Sequence, residues 1–310
     1  MQLPAEIRAA VEENAARFAH KELLTAAVSI SERYRAEKAD GSRIVTKAAE
    51  AAAYAVTRMP ATFAAVSSAL EHTLAQFSGE LCSAADIGAG TGAAAAAISG
   101  IIDDITELHC YERETEMRRL GEKLTDAQWH DLDITMDTLP RSYDLITLCY
   151  TLNELSGSDR ERVVERLWEH TDKLLLIIEP GTPTGYGNII SAREQLISLG
   201  AAIAAPCPFT GGCPLKKDDW CHFTARAERS KLHKQLKGGD APYEDEKFSY
   251  LAAAKCAAKP CERRILRHPQ ISPGFIDLRV CTKEGISDIK ITKKSPDFKT
   301  ARKAESGDCI

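Results

Sequence analysis

Three cysteines fall within fifteen residues, in the run Cys207-Pro-Phe-Thr-Gly-Gly-Cys213-Pro-Leu-Lys-Lys-Asp-Asp-Trp-Cys221. Prolines after the first two stiffen an irregular loop, and thiolates held on such a loop are soft ligands for zinc or an iron–sulfur cluster. A closed tetrahedral or cubane site needs a fourth donor. Cys256, Cys261, Cys281 and His222 are the candidates. Cys281 ends a predicted strand, Cys256 lies in an apparent helix, and Cys261 follows Pro260 in a turn. Gaps of five and then seven residues match neither a short zinc knuckle nor the ferredoxin runs. Spacing therefore favours a metal over buried or incidental thiols, without choosing which metal.

Upstream, Asp86-Ile-Gly88-Ala-Gly90-Thr-Gly92 follows a predicted strand and opens a predicted helix. Glycines let the backbone turn tightly against a ligand, and the helix N-terminus offers oriented N–H groups. Asp86 is placed to accept hydrogen bonds from an ammonium group or from the loop. Glu112, at the end of the next strand, has the spacing at which an acid takes ribose hydroxyls. Asp131 ends a third candidate strand, where an adenine-edge contact is possible. The pattern resembles motif I of the class I S-adenosylmethionine (SAM)-dependent methyltransferases. A nicotinamide or flavin Rossmann domain is the alternative, since Gly88-x-Gly90-x-x-Ala93 also fits a dinucleotide loop. Tyr150, Asn153 and Glu154 lie just past the fourth strand, where chemistry sits in this architecture, and are the candidate catalytic groups. Asn153 and Glu154 fit equally the N-terminal cap of the next helix. The Asn/Asp-Pro-Pro-Tyr motif of amino methylation and the Pro-Cys nucleophile of pyrimidine methylation are both missing here.

Elements that could position these groups follow from periodicity. Residues 4–19, 21–36, 44–57 and 61–77 read as amphipathic, alanine-rich helices, with Pro60 breaking the last two. Strands are expected at 83–87, 107–111, 144–150 and 173–178, and more weakly at 128–132. Helices are expected between them at 92–102, 114–123, 158–170 and 187–199. This alternation implies an α/β, doubly wound parallel sheet of the class I methyltransferase-like (Rossmann-like) kind. A basic helix is expected at 224–237 and a β-hairpin at 275–282 and 286–292. The domain layout reads as a helical region (1–78), a SAM-binding core (79–200), a cysteine-rich, basic RNA-facing insertion (201–265), and a hairpin completing the sheet with a basic tail (266–310).

At 310 residues, with 44% hydrophobic and 27% charged residues, the composition is that of a soluble globular protein. No apolar run approaches the roughly 20 residues that span a bilayer, so no membrane partner is expected. No secretory signal is legible at the N-terminus, so the ten cysteines are expected as thiols or metal ligands in a reducing compartment. Charge is uneven: residues 1–200 carry −12 and residues 201–310 carry +7. Lys216 and Lys217 lie within the cysteine run, and Arg226, Arg229, His233, Lys234 and Lys237 crowd after it. On a helix, Arg226, Arg229, His233 and Lys237 would share a face suited to RNA phosphates. A solvated helical surface is the plain alternative.

Several segments together resemble the mitochondrial small-ribosomal-subunit methyltransferase-like assembly family and its bacterial counterparts. They include Ala53-Tyr-Ala-Val-Thr-Arg58-Met-Pro-Ala-Thr, the glycine loop, Glu179-Pro-Gly-Thr-Pro183, Asp219-Trp-Cys-His-Phe223, Glu244-Asp-Glu-Lys-Phe-Ser-Tyr-Leu251 and Val280-Cys-Thr282. The resemblance implies a [4Fe–4S] cluster held by Cys207, Cys213, Cys221 and Cys281, and a role in small-subunit assembly through ribosomal RNA. Methyl transfer is inferred for the family from its fold. A cytoplasmic, bacterial-type member is expected, with no DNA partner. The competing readings are an active SAM-dependent rRNA methyltransferase with a structural cluster and a zinc-stapled nucleotide-binding enzyme acting on small molecules.

Overall fold

The computed structural model describes residues 1–35, 43–216, 218–256 and 258–310. Residue 36, the last of the second expected helix, and Lys217 lie outside the described residues. Four helices open the chain: α1 (Ala5–Ala15), α2 (His20–Arg35), α3 (Ala48–Thr57) and α4 (Met59–Leu74). Pro60 sits in the first turn of α4, where its missing N–H leaves no bond unmade. Next come β1 (Ser83–Ile87), α5 (Ala93–Ile101), β2 (Glu107–Tyr111), α6 (Thr115–Leu124) and β3 (Gln128–His130). They are followed by β4 (Tyr143–Cys149), α7 (Gly157–Glu169), β5 (Thr171–Pro180), α8 (Pro183–Ser198) and β6 (Ala202–Ala205). The last part holds β7 (Phe223–Glu228), α9 (Lys231–Lys237), β8 (Tyr243–Ala254), β9 (Arg264–Ile265), β10 (Gln270–Ser272), β11 (Phe275–Thr282), β12 (Gly285–Thr292) and α10 (Phe298–Ala301).

The main sheet has the order β3-β2-β1-β4-β5-β8-β6, with β7 also on β8. Neighbours from β3 to β5 pair in parallel, and β8 runs antiparallel to β5, β6 and β7. That order, with one reversed strand, is the class I methyltransferase-like α/β fold. Central strands are buried on both faces, as parallel sheets require. Leu70 of α4 and Ile98 of α5 cover one face, and Val163 of α7 and Leu196 of α8 cover the other. The N-terminal helices join Met117 and Leu120 of α6 in a third cluster, which brings Tyr54 close to the glycine loop.

Three expectations are corrected. Residues 224–237 are not one helix: β7 buries Phe223, Ala225 and Ala227 and exposes Thr224, Arg226 and Glu228, a period of two. Ser230 then caps α9 by accepting from His233 N–H (3.1 Å). Nor does the C-terminal hairpin complete the main sheet. β11 and β12 form a second sheet with β9 and β10, while the antiparallel strand of the main sheet is β8. Cys256 is not helical, because β8 runs through Ala254 and the chain then bends.

β6 and β7 both pair with β8, β6 against Ala252–Ala254 and β7 against Tyr243–Phe248. The cysteine loop is the excursion between these two pieces of one edge.

Candidate functional site

Strand order reverses between β1 and β4, the switch point outside whose strand ends open α/β sheets bind their ligands. Gly88, Gly90 and Gly92 all have positive φ (65°, 57° and 88°). At Gly88 a Cβ would also lie 2.5 Å from Thr151 Oγ1, so glycine is required there by conformation and by space. Asp86 is 1% exposed. Thr147 Oγ1 donates to its Oδ1 (2.8 Å), whereas Oδ2 is buried without a partner. Burial pushes its pKa up to about 7, against the Thr147 hydrogen bond. Glu112, also buried, accepts from Gly90 N–H and from Glu114 N–H, each at 2.7 Å, and so ties the loop to β2. Burial raises its pKa too. Asp131 is the least enclosed of the proposed ligand contacts: it is 65% exposed and paired with Arg118 at 3.1 Å.

Beyond β4, Tyr150 is the one described non-glycine residue with positive φ (59°). Its hydroxyl donates to Glu246 Oε1 of β8 (3.1 Å), and Arg58 Nη2 lies 3.7 Å from the same oxygen. The next segment hangs on Glu179, which is fully buried at the end of β5. Leu152 N–H donates to Glu179 Oε1 (3.0 Å). Asn188 Nδ2 bridges Glu179 Oε2 (3.3 Å) and Asn153 Oδ1 (2.7 Å). Burial, then the Glu112 charge, pushes Glu154 up to about 8; burial pushes Glu179 up to about 7. Ser156, not Asn153 or Glu154, caps α7, accepting from Asp159 N–H (3.2 Å). Sequence reasoning passed over Tyr54, Arg58 and Glu246, which lie in quoted segments with no chemistry of their own, and Asn188, which lies in none of them. Buried and half-buried carboxyls thus gather round the strand ends. A cationic ligand would relieve them, and a diphosphate would not.

Of the four candidates for a fourth donor, only Cys281 lines the same cavity of about 40 Å³ as Cys207, Cys213 and Cys221. Cys281 arrives from β11 in the second sheet, paired in register with Arg264 of β9. His222 is turned to Trp220 O (3.2 Å) and Cys256 is exposed. Burial pushes the thiols of Cys207, Cys221 and Cys281 up. Tyr186 OH lies 3.1 Å from Cys213 Sγ. Trp220 Nε1 donates to Gly181 O (2.9 Å), and Asp219 pairs with Arg267 and, at 3.8 Å, with Arg279, so the loop is clamped to both sheets. Among the described residues, no three or more His, Cys, Asp or Glu side chains form a ready-made metal cage.

Residues 48–310 match the family described as mitochondrial small ribosomal subunit Rsm22. The chain belongs to this family. The Rsm22 match runs from α3 to the C-terminus and so takes in the glycine loop, all four cavity cysteines and both sheets. The human ribosome assembly protein METTL17, mitochondrial, is 26% identical over 256 residues, covering 75% of this chain and 55% of that protein. The chain therefore spans about half the length of this curated relative. Similar solved structures include a SAM-dependent methyltransferase from Aquifex aeolicus (12% identity, TM-score 0.42, 68% of this chain and 100% of that one). Another is a putative RNA methyltransferase from Pyrococcus horikoshii (15% identity, TM-score 0.39, 61% and 79%).

The basic residues of this Rsm22-family chain do not share one face. Arg226 is exposed but paired with Asp245 (2.7 Å) and stacked over Tyr243 (4.0 Å). Lys237 pairs with Glu244 (2.6 Å), and His233 is fully buried 3.5 Å from the same carboxylate. Arg229 donates to Gly238 O (2.7 Å). Lys234 is half-buried and Lys216 exposed. The acidic start of β8 thus neutralises much of the basic run. Lys293, Lys294, Lys299, Arg302 and Lys303 are all exposed, and none has a carboxylate within 4.0 Å among the described residues. No helix among the described residues is long and apolar enough to cross a membrane.

Proposed function

We propose that this chain assists assembly of a small ribosomal subunit by binding ribosomal RNA. It carries SAM at the strand ends and a thiolate-held [4Fe–4S] cluster in the cysteine cavity. Membership of the Rsm22 family over residues 48–310 is the observation that carries the ribosomal part of this reading. We place the protein in a reducing cytoplasm, where its ten cysteines stay available as thiols.

The pocket fits SAM better than a dinucleotide. SAM carries a sulfonium and an ammonium, and the buried, unpartnered Asp86 Oδ2 awaits a donor. Glu112 would take the ribose while holding Gly90, and Asp131 would take the adenine edge. When bound, SAM supplies an electrophilic methyl group. Residues 150–154 would form the wall on the acceptor side, Asn153 being positioned through Asn188 and Glu179. A second reading, methyl transfer to ribosomal RNA, is favoured by Glu154, whose pKa of about 8 would let it exchange a proton near neutrality.

The donor set suits a cluster: four thiols, no carboxylate and no imidazole line the cavity. For RNA, the unpaired C-terminal cations from Lys293 to Lys303 support phosphate contact better than the neutralised run from Arg226 to Lys237. Sedimentation of tagged protein from cell extract tests the reading. Co-migration with small-subunit precursors in low salt, lost after ribonuclease, is the expected result. Migration as a free protein under every salt condition would overturn it.

A further inference from the structure

Arg193 of α8 and Arg264 of β9 are 2% and 1% exposed and both line the cysteine cavity. Neither has a carboxylate within 4.0 Å among the described residues, and no acid lines the cavity. Arg193 Nη2 is spent on loop carbonyls, Phe209 O (3.0 Å) and Gly211 O (2.7 Å). Arg264 Nε and Nη1 donate to Pro206 O (2.9 Å) and Gly307 O (2.6 Å). What remains is Arg193 Nε and Arg264 Nη2, both buried and without an oxygen partner, the two guanidinium groups lying beside the thiols of Cys207 and Cys309 respectively. Two guanidinium charges left uncompensated in a mostly apolar hollow are strongly unfavourable. The Cys309 thiol, held down to about 7 by Cys261 and by Arg264, answers part of one charge from outside the hollow, and an anionic occupant would answer the rest.

A tetrathiolate centre meets that condition. Four thiolates around a doubly charged cluster core, or around a zinc ion, leave two net negative charges. Two arginines cancel them. Tyr186 OH, 3.1 Å from Cys213 Sγ, adds a hydrogen bond to one sulfur. Building on the cluster reading above, we propose that Arg193 and Arg264 are the counter-charge of the thiolate centre. They hold it in an otherwise apolar cavity and raise the reduction potential of a bound cluster. One electron from a reductant such as dithionite adds a third negative charge with no bond made or broken, and a neighbouring cation favours that state.

The four cysteines alone do not predict this dependence, so charge can be tested apart from ligation. Protein purified anaerobically, as wild type, Arg264→Gln, Arg264→Lys and Arg193→Gln, would be compared for metal and sulfide content and titrated with dithionite and mediators. Folding is checked by far-ultraviolet circular dichroism. Each Gln variant is expected to lower the reduced-to-oxidised ratio at fixed potential by about tenfold, which is about 59 mV for one electron. Arg264→Lys, which keeps the charge but cannot reproduce the fork to Pro206 and Gly307, is expected to stay near wild type. Equal potentials in all four proteins would overturn the proposal, as would loss in Lys and Gln alike, which marks a purely structural arginine. If the wild type holds zinc without sulfide, the cluster reading fails but the counter-charge remains testable. Chelator release of zinc at least tenfold faster in the Gln variants, and not in Arg264→Lys, supports it. Unchanged release overturns it. Wild-type protein without any metal overturns both.

Discussion

Arg264 and Cys281 are register partners across the β9–β11 ladder, so the strand pairing that buries an arginine also delivers the fourth thiol to the cavity. The other three thiols come from the excursion between β6 and β7 on the main sheet. A centre held by all four would therefore staple two sheets that are otherwise joined by loop contacts such as Asp219–Arg267.

Cys281→Ser is expected to release the metal and to expose residues 206–222 and the second sheet to protease together, because metal binding supplies folding energy where it joins distant ligands. Limited proteolysis of metal-loaded wild type and variant measures this. Identical cleavage patterns would rule out the staple.

Tyr186→Phe deletes the hydroxyl beside Cys213 Sγ and leaves the ring. Partners of metal ligands are worth roughly 10- to 100-fold in metal affinity, and the low end is expected for one hydrogen bond to sulfur. Competition with a chelator reads the change.

The acid cluster makes SAM binding depend on pH. Asp86 and Glu179 sit at about 7 and Glu154 at about 8, each raised mainly by burial. A cationic ligand favours their ionised forms, so binding should release protons between pH 6 and 8 and tighten as pH rises. Calorimetry in buffers of different ionisation enthalpy counts the protons. Affinity that weakens with pH would contradict the assignment. Stability of the free protein runs the other way. A carboxyl whose folded pKa lies above its unfolded value binds protons more tightly when folded. Stability is thus expected to fall as pH rises from about 4 to 8, by up to about 4 kcal/mol for a shift such as that of Asp86.

Asp86→Asn keeps the size and the Thr147 contact but removes the buried charge. SAM affinity should fall by about tenfold or more, the worth of one charge-assisted hydrogen bond. The melting temperature should hold or rise, since an uncompensated carboxylate is no longer buried. A large drop in melting temperature would instead make Asp86 a structural residue.

Neutralising Lys293, Lys294 and Arg302 should flatten the salt dependence of RNA binding by about 0.7–0.9 for each phosphate that no longer meets a cation. Arg226→Ala and Lys237→Ala should leave the slope nearly unchanged, as both cations are already paired. The reverse ranking would return the RNA surface to α9.

Legibility in the sequence followed the range of the interactions. β1 and β2 were readable to the residue because their apolar runs are bounded by glycine and turn residues, and β11 because the hairpin turn is local. The glycine loop was readable because its backbone geometry demands particular residues. β7 was misread because Arg226, Arg229, His233 and Lys237 mimic helical spacing, while the alternation of Phe223, Ala225 and Ala227 is weak in small side chains. β8 was hidden by its acidic beginning, which becomes intelligible only against the cations of β7 and α9. Arg193 and Arg264 had no signal in sequence, since a buried arginine without an acid is recognised only once its surroundings are known.

The most direct test of the thiolate-held cluster is iron, sulfide and zinc analysis of protein purified without oxygen. About four irons and four sulfides per chain are expected, lost together in Cys207→Ser and Cys281→Ser. Stoichiometric zinc without sulfide, or full iron retained after Cys281→Ser, would contradict it.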